Sequence, residues 1–201
     1  MSGVALALLA VYGVVAFLFH VLIQLRLTGS TGLHGISRGS AAEVLGGVLF
    51  LVSFVLAVAA PLLDRADVVE PIGALDGRVA HVAGLVLAIA GILGTAAAQL
   101  AMGRSWRVGV DPSERTSLVT GGPFALVRNP IYTAIFPFFI GIALLVGNAV
   151  ALLAFACAIV ALELQTRVVE EPHLLRTHGD DYAGYAARVG RFVPGVGRLR
   201  R

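Results

Sequence analysis

Three stretches without a formal charge govern what this chain can fold into. They run from Val4 to Leu25, from Val44 to Leu63, and from Val79 to Met102, the last interrupted by His81 and Gln99. Each reaches the ~20 residues a helix needs to cross a ~30 Å hydrocarbon core. None shows the 3.6-residue alternation of apolar and polar faces that a helix lying on a soluble core displays. The rest of the chain does not dilute them: 58% of the 201 residues are hydrophobic and 13% charged, against roughly a quarter charged in ordinary globular chains. These runs are membrane spans. The first is too long for the apolar part of a secretory signal and lacks a basic leader and a small-residue cleavage site, so it is expected to be a span as well.

A fourth apolar region, Ile131 to Leu164, is longer and has Gly147-Asn148 near its middle. Asn and Gly turn a chain, so the region reads as two helices, Ile131–Val146 and Ala149–Leu164, folded into a hairpin; the alternative is one long kinked helix. Each half is sixteen residues, roughly 24 Å and a little short of the core. The second can continue past Leu164 into water, because Gln165 to Arg176 is polar and has only Pro172 as a breaker. Beyond it come a break at Gly179 and a further helix with Tyr182, Tyr185 and Val189 along one side, suited to lying on the membrane or packing over a site. The expected fold is all-α: a polytopic bundle of about five transmembrane helices, the last two a hairpin, plus cytoplasmic C-terminal helices. It forms one domain, 1–201, with two spans in 1–78 and the remainder in 79–194.

Orientation is read from arginine, since the chain has no lysine. Arg26 and Arg38 come after the first span, Arg104, Arg107, Arg115 and Arg128 after the third, and seven arginines lie from Arg167 onward. The second connection sets Arg65 and Arg78 against Asp64, Asp67, Glu70 and Asp76, and the hairpin tip carries no charge. The positive-inside rule then places the first and third connections and the tail in the cytoplasm and the N-terminus outside. Basic residues clustered beside spans meet anionic headgroups, and nothing points to nucleic acid. Cys157, the single cysteine, reads as a small packing residue within the fifth span. Gly46, Gly47, Gly84, Gly91, Gly94 and Gly141 are expected to let helices approach closely. His34, His173 and His178 lack metal-ligand spacing, so no metal is expected.

Two polar segments exceed what a scaffold needs. Thr120-Gly-Gly-Pro123 is a turn whose free backbone groups suit a polar ligand, and Arg128-Asn129-Pro130 opens the fourth helix. Such a helix start favours an anion, although Arg128 as a positive-inside anchor explains the same residues equally well. In the second segment Glu163, Arg167 and Glu171 are spaced i, i+4, i+8, and Glu170 lies seven after Glu163, so one helix puts all four on a face. A salt-bridge ladder explains Arg167–Glu171; it explains Glu163, inside an apolar run, less well, and a functional site facing the bundle explains both.

Leu118 to Tyr132, reading LVTGGPFALVRNPIY, together with Glu170-Glu171-x-x-Leu174, Gly179-Asp-Asp-Tyr182, Tyr185 and Arg191-Phe-Val-Pro194, resembles the paired motifs of the isoprenylcysteine carboxyl methyltransferase family. The resemblance covers about Gln99 to Pro194. It implies a membrane-embedded methyltransferase whose cofactor, S-adenosyl-L-methionine, is enclosed at the cytoplasmic side, with a lipophilic or prenylated substrate entering from the bilayer. Carried over by position, Gly122, Pro123, Phe124, Arg128, Asn129 and Tyr132 would line the cofactor pocket and Glu170 and Glu171 complete it. Arg167 with Glu171 would stand by the methyl acceptor as catalytic residues. Asn129 stands where the family more often has histidine and Phe124 where it often has tyrosine, which leaves the acceptor open. The lysine-free, Ala/Gly/Val/Arg-rich composition points to a GC-rich bacterial genome and hence a plasma-membrane location. Two other readings are an NADPH-dependent sterol- or isoprenoid-type reductase and a non-enzymatic carrier or assembly protein. The former needs extra basic residues for a 2′-phosphate and the latter related halves, and the sequence shows neither.

Overall fold

A computed structural model of the protein describes residues 1–31, 41–105 and 117–199. His34, Arg38, Arg107, Arg115 and the last two arginines of the tail lie outside the described residues. The expected all-α membrane bundle is the architecture found. Helices α1 (Ser2–Thr28), α2 (Ala41–Arg65) and α3 (Arg78–Met102) are long and apolar enough to cross a membrane. Helices α4 (Pro130–Val146) and α5 (Ala149–Leu164) form the hairpin, and α5 runs through a π-helical turn, Gln165–Glu170, into α6 (Glu171–Arg188).

Gly147-Asn148 makes the hairpin for two separate reasons. Gly147 ends α4 in the left-handed region, φ +66°, which costs a glycine nothing. Asn148 is wholly buried; its side-chain oxygen caps α5 by accepting from the Ala151 amide at 3.0 Å, and its amide donates to the Ala60 carbonyl of α2 at 3.0 Å. The turn residue therefore also ties the hairpin to a neighbouring span. At the same end, Ile72 of the second connection donates to the Gly147 carbonyl at 2.7 Å, and the Ser2 hydroxyl bonds Asp64 at the end of α2. N-terminus, second connection and hairpin tip thus share one end of the bundle, as the arginine distribution requires.

The core sits where α4 passes between its neighbours. Phe138, Phe139, Ile142 and Leu145 of α4 are almost fully buried, and the Tyr12 ring of α1 stacks on Phe138 at 4.1 Å between centroids. Contact between α3 and α4 depends on missing side chains. A Cβ on Gly91 would lie 2.6 Å from Phe138, and one on Gly141 would lie 2.5 Å from the Ala88 backbone nitrogen. In lipid this close approach is what holds helices together, since apolar side chains gain nothing by leaving acyl chains. Between α1 and α3 a polar contact does the joining: α1 widens into a π turn, Val14–Phe19, and Gln99 of α3 donates to the Ala16 carbonyl within it at 2.9 Å.

Candidate functional site

The polar end of the bundle opposite the hairpin tip assembles both motif segments. Gly121-Gly122-Pro123 folds as a 3₁₀ turn, Gly122–Ala125, entered by Gly122 at φ +58°. Phe124 within it is buried, and its carbonyl accepts from the Tyr185 hydroxyl of α6 at 2.6 Å. The chain then runs extended beside the C-terminal tail: the Arg128 amide donates to the Gly190 carbonyl at 2.8 Å, and the Asn129 amide to the Arg191 carbonyl at 3.1 Å. The Asn129 side-chain amide donates to that same carbonyl at 3.2 Å. Pro130 begins α4 at a position where its missing N–H leaves no bond unmade.

Arg128 is the most heavily engaged side chain here. One terminal nitrogen donates to the Ala186 and Val189 carbonyls at 3.1 and 2.5 Å. The other donates to a Glu171 carboxylate oxygen at 2.5 Å and to the Gly197 carbonyl at 3.1 Å. Glu171 also accepts two bonds from Arg191, each at 2.8 Å, in the fork geometry that guanidinium offers a carboxylate. The Arg128 side chain is 1% exposed and that of Glu171 7%. Burial alone would push the Glu171 carboxyl up, but the bonds from Arg191 and Arg128 and their charges outweigh it and hold the group below the ordinary carboxylate range. The same bonds raise Arg191 further. Together the three side chains form a clasp that fastens the tail, 186–197, onto the start of α4. A buried pair of this kind is not itself strong evidence of stability, but removing one partner costs about 3–5 kcal/mol because the other is left charged and dry.

Glu170 is placed differently. One of its oxygens accepts from the Tyr132 hydroxyl and from the Gln165 amide, the latter at 3.4 Å. Its other oxygen has no hydrogen-bond donor among the described residues. Burial pushes this carboxyl up, the two bonds oppose the shift, and the Glu171 charge adds to it. The paired glutamates are therefore unlike: both oxygens of Glu171 are held by arginines, while one oxygen of Glu170 meets no donor among the described residues.

The i, i+4, i+8 ladder is not what forms. Arg167 pairs with Glu163, four residues back, and both are partly exposed, 57% and 34%. Glu171 does not continue the stripe. The cause is the π turn Gln165–Glu170 just ahead of Pro172. A proline has no N–H to donate four residues back and clashes with that carbonyl. A π turn, with more residues per turn, relieves the conflict and rotates the helix beyond it. Glu171 thereby turns inward to Arg128 and Arg191, and Arg167 stays with Glu163 near the surface. The expected single face is corrected to two. The structure brings together Gly122, Pro123, Phe124, Arg128, Asn129, Tyr132, Glu170 and Glu171, and leaves Arg167 one helical step aside. Sequence reasoning passed over Arg191, Thr133, Gln165 and Tyr185 as site members. Arg191 and Tyr185 stood in the recognised tail motif, whereas Gln165 carried no signal beyond being polar after an apolar run.

Comparison with known proteins bears out the resemblance. The family described as phospholipid methyltransferase matches residues 79–181, which hold the first motif and the paired glutamates of the second. A protein-S-isoprenylcysteine O-methyltransferase of Schizosaccharomyces pombe is 35% identical over 77 residues, covering 38% of this chain and 33% of that protein. Protein-S-isoprenylcysteine O-methyltransferase A of Arabidopsis thaliana is 31% identical over 115 residues, 56% of this chain and 58% of that protein. The chain thus spans between a third and three-fifths of the length of these relatives. The solved structure of the eukaryotic intramembrane Ras methyltransferase ICMT (isoprenylcysteine carboxyl methyltransferase) superposes with a TM-score of 0.56 at 23% identity, over 94% of this chain and 67% of that one. It has the same fold.

Proposed function

The chain belongs to the phospholipid methyltransferase family, and from that membership we propose that it is an S-adenosyl-L-methionine-dependent methyltransferase working at the cytoplasmic face of a bacterial plasma membrane. Its acceptor is a lipophilic carboxylate of the isoprenoid or prenylcysteine kind, reached from the bilayer, and the transfer is to oxygen. The observation that carries the reading is that the two motifs fold into one polar end, with a carboxylate, Glu170, whose second oxygen meets no donor among the described residues.

The residues fit the cofactor. Glu170 offers an acceptor for an ammonium or a ribose hydroxyl, and at the turn Gly121-Gly122 a Cβ on Gly122 would meet nothing nearer than 4.0 Å among the described residues, which suits a polar ligand against the backbone. Bound there, S-adenosyl-L-methionine supplies a methyl group that is electrophilic without further activation. The protein's task is then to position and to dry. Tyr132 and Gln165 orient Glu170 through its other oxygen. Arg128, Asn129 and Glu171, each occupied by the tail, act as positioning residues that hold the tail over the turn. Arg167 is a half-exposed cation at this end of the bundle, suited to an acceptor carboxylate as a charge-assisted pair once Glu163 releases it. A carboxylate acceptor needs no base. Alignment of well-oriented reactants in a water-free site is worth up to ~7–11 kcal/mol.

The test is a binding titration of detergent-solubilised protein with S-adenosylhomocysteine and, separately, NADPH. Binding of the former in the micromolar range, about −8 kcal/mol, is expected. Stabilisation by NADPH alone would replace this reading with the reductase one.

A further inference from the structure

The C-terminal loop lies beside the start of α4, the short apolar helix of the bundle. Helix α4 has 17 residues, about 25 Å of helix against a ~30 Å core, whereas α5 continues past its sixteenth residue into the π turn and α6. The hairpin tip is tied to the second connection, so the shortfall of α4 falls at the opposite end. The tail fills it. Gly190 permits a turn that any side chain would block, since a Cβ there would lie 2.1 Å from the Val193 carbonyl oxygen. The Arg191 amide donates to Val196 at 2.8 Å and the Val196 amide to Val193 at 3.0 Å, closing a tight loop. Thr133, in the first turn of α4, donates its hydroxyl to the Phe192 carbonyl at 2.9 Å, and the Phe192 ring meets Phe136 edge-on at 5.4 Å. The loop therefore runs alongside the first two turns of a span and not beyond its end.

What it turns outward is apolar. Val193 and Val196 are 55% and 62% exposed, and Leu126, one residue from the Val127–Gly190 bridge, is 66% exposed. Arg198 is exposed close by, its guanidinium folded toward Gly195, and has no ion pair among the described residues. Aliphatic tips beside a short span, flanked by a long cationic side chain, match an interface where the former enter acyl chains and the latter reaches phosphate.

We infer that the loop 192–197, with Leu126, is a wedge seated in the leaflet at the polar end of the bundle, and that its partner is the lipid itself. The inference depends on membrane embedding and not on the methyl-transfer reading. The wedge is continuous with the clasp: Arg191 and Gly197 at its two ends hold Glu171 and Arg128, so lipid contact supports the closed tail. To test it, single cysteines replace Val193 or Val196 in a Cys157→Ala background and carry a small environment-sensitive fluorophore. The protein is placed in phosphatidylcholine–phosphatidylglycerol vesicles with a nitroxide quencher high in the acyl chain, or with iodide in the buffer. Val160, exposed on α5, serves as the lipid-facing reference and Asp180, exposed on α6, as the aqueous one. Both loop positions should lose intensity to the lipid quencher as Val160 does and resist iodide. Iodide quenching equal to that at Asp180, with no effect of the nitroxide lipid, at both positions would overturn the wedge.

Discussion

Between α3 and α4 the backbones meet because Gly84, Gly91 and Gly141 carry nothing to keep them apart, while around Glu171 two arginines and a carboxylate fill the space between tail and helix. The first contact is apolar, continuous and repeated along the helix. The second is ionic, local and made by residues up to 69 apart in the chain. The contrast comes from the solvent. Within lipid no hydrophobic force joins one apolar helix to another, so closeness itself supplies the attraction. At the polar end a buried charge is tolerable only when every partner is present, so the clasp is specific where the glycine seam is merely close.

The largest effect should come from unpairing the clasp. Glu171→Ala leaves Arg128 and Arg191 without their carboxylate and should lower unfolding stability in detergent by about 3–5 kcal/mol. A loss of a few tenths would mean that water reaches the arginines and that the clasp is no more than surface. Next comes the seam: Gly141→Val places a methyl-bearing carbon where the Ala88 backbone already lies, and should cost about 1–3 kcal/mol through helix separation. Wild-type thermal unfolding of that variant would show that the helices have slack. The two unlike glutamates give a third contrast. Glu170→Gln should weaken S-adenosylhomocysteine binding at least tenfold, ~1.4 kcal/mol, with little change in unfolding, the reverse of Glu171. Equal binding by wild type and variant would remove Glu170 from the cofactor site. The smallest stability effect belongs to Arg167→Ala, which breaks a half-exposed i, i+4 pair worth a few tenths of a kcal/mol. Its expected signature is a raised KM for a carboxylate acceptor at unchanged cofactor affinity, and unaltered kinetics would leave the residue as a surface partner of Glu163 only.

Much of the fold was legible because a bilayer turns a structural question into one of length. Runs without charge gave spans to within a few residues, and Gly147-Asn148 marked the hairpin, since a left-handed residue next to a helix cap is a local signal. The site was legible as two motifs but not as a geometry. Local spacing put Arg167 beside Glu171, and a π turn ahead of Pro172 undid that register. Nothing in the order of residues told the two adjacent glutamates apart.

The sequence by itself determined that this chain lives in a membrane, where its helices begin and turn, which ends lie together, and which two polar segments stand out from its apolar frame. Those properties depend on nearest neighbours and on a solvent that cannot bond to backbone. Tertiary structure decided the partners: Glu171 with Arg128 and Arg191, Glu170 with Tyr132, Asn148 with Ala60, the tail beside α4. A buried polar group takes whichever partner the packing of distant elements brings within about 3 Å, and that distance is set by helix rotation, which a single widened turn alters for every residue after it.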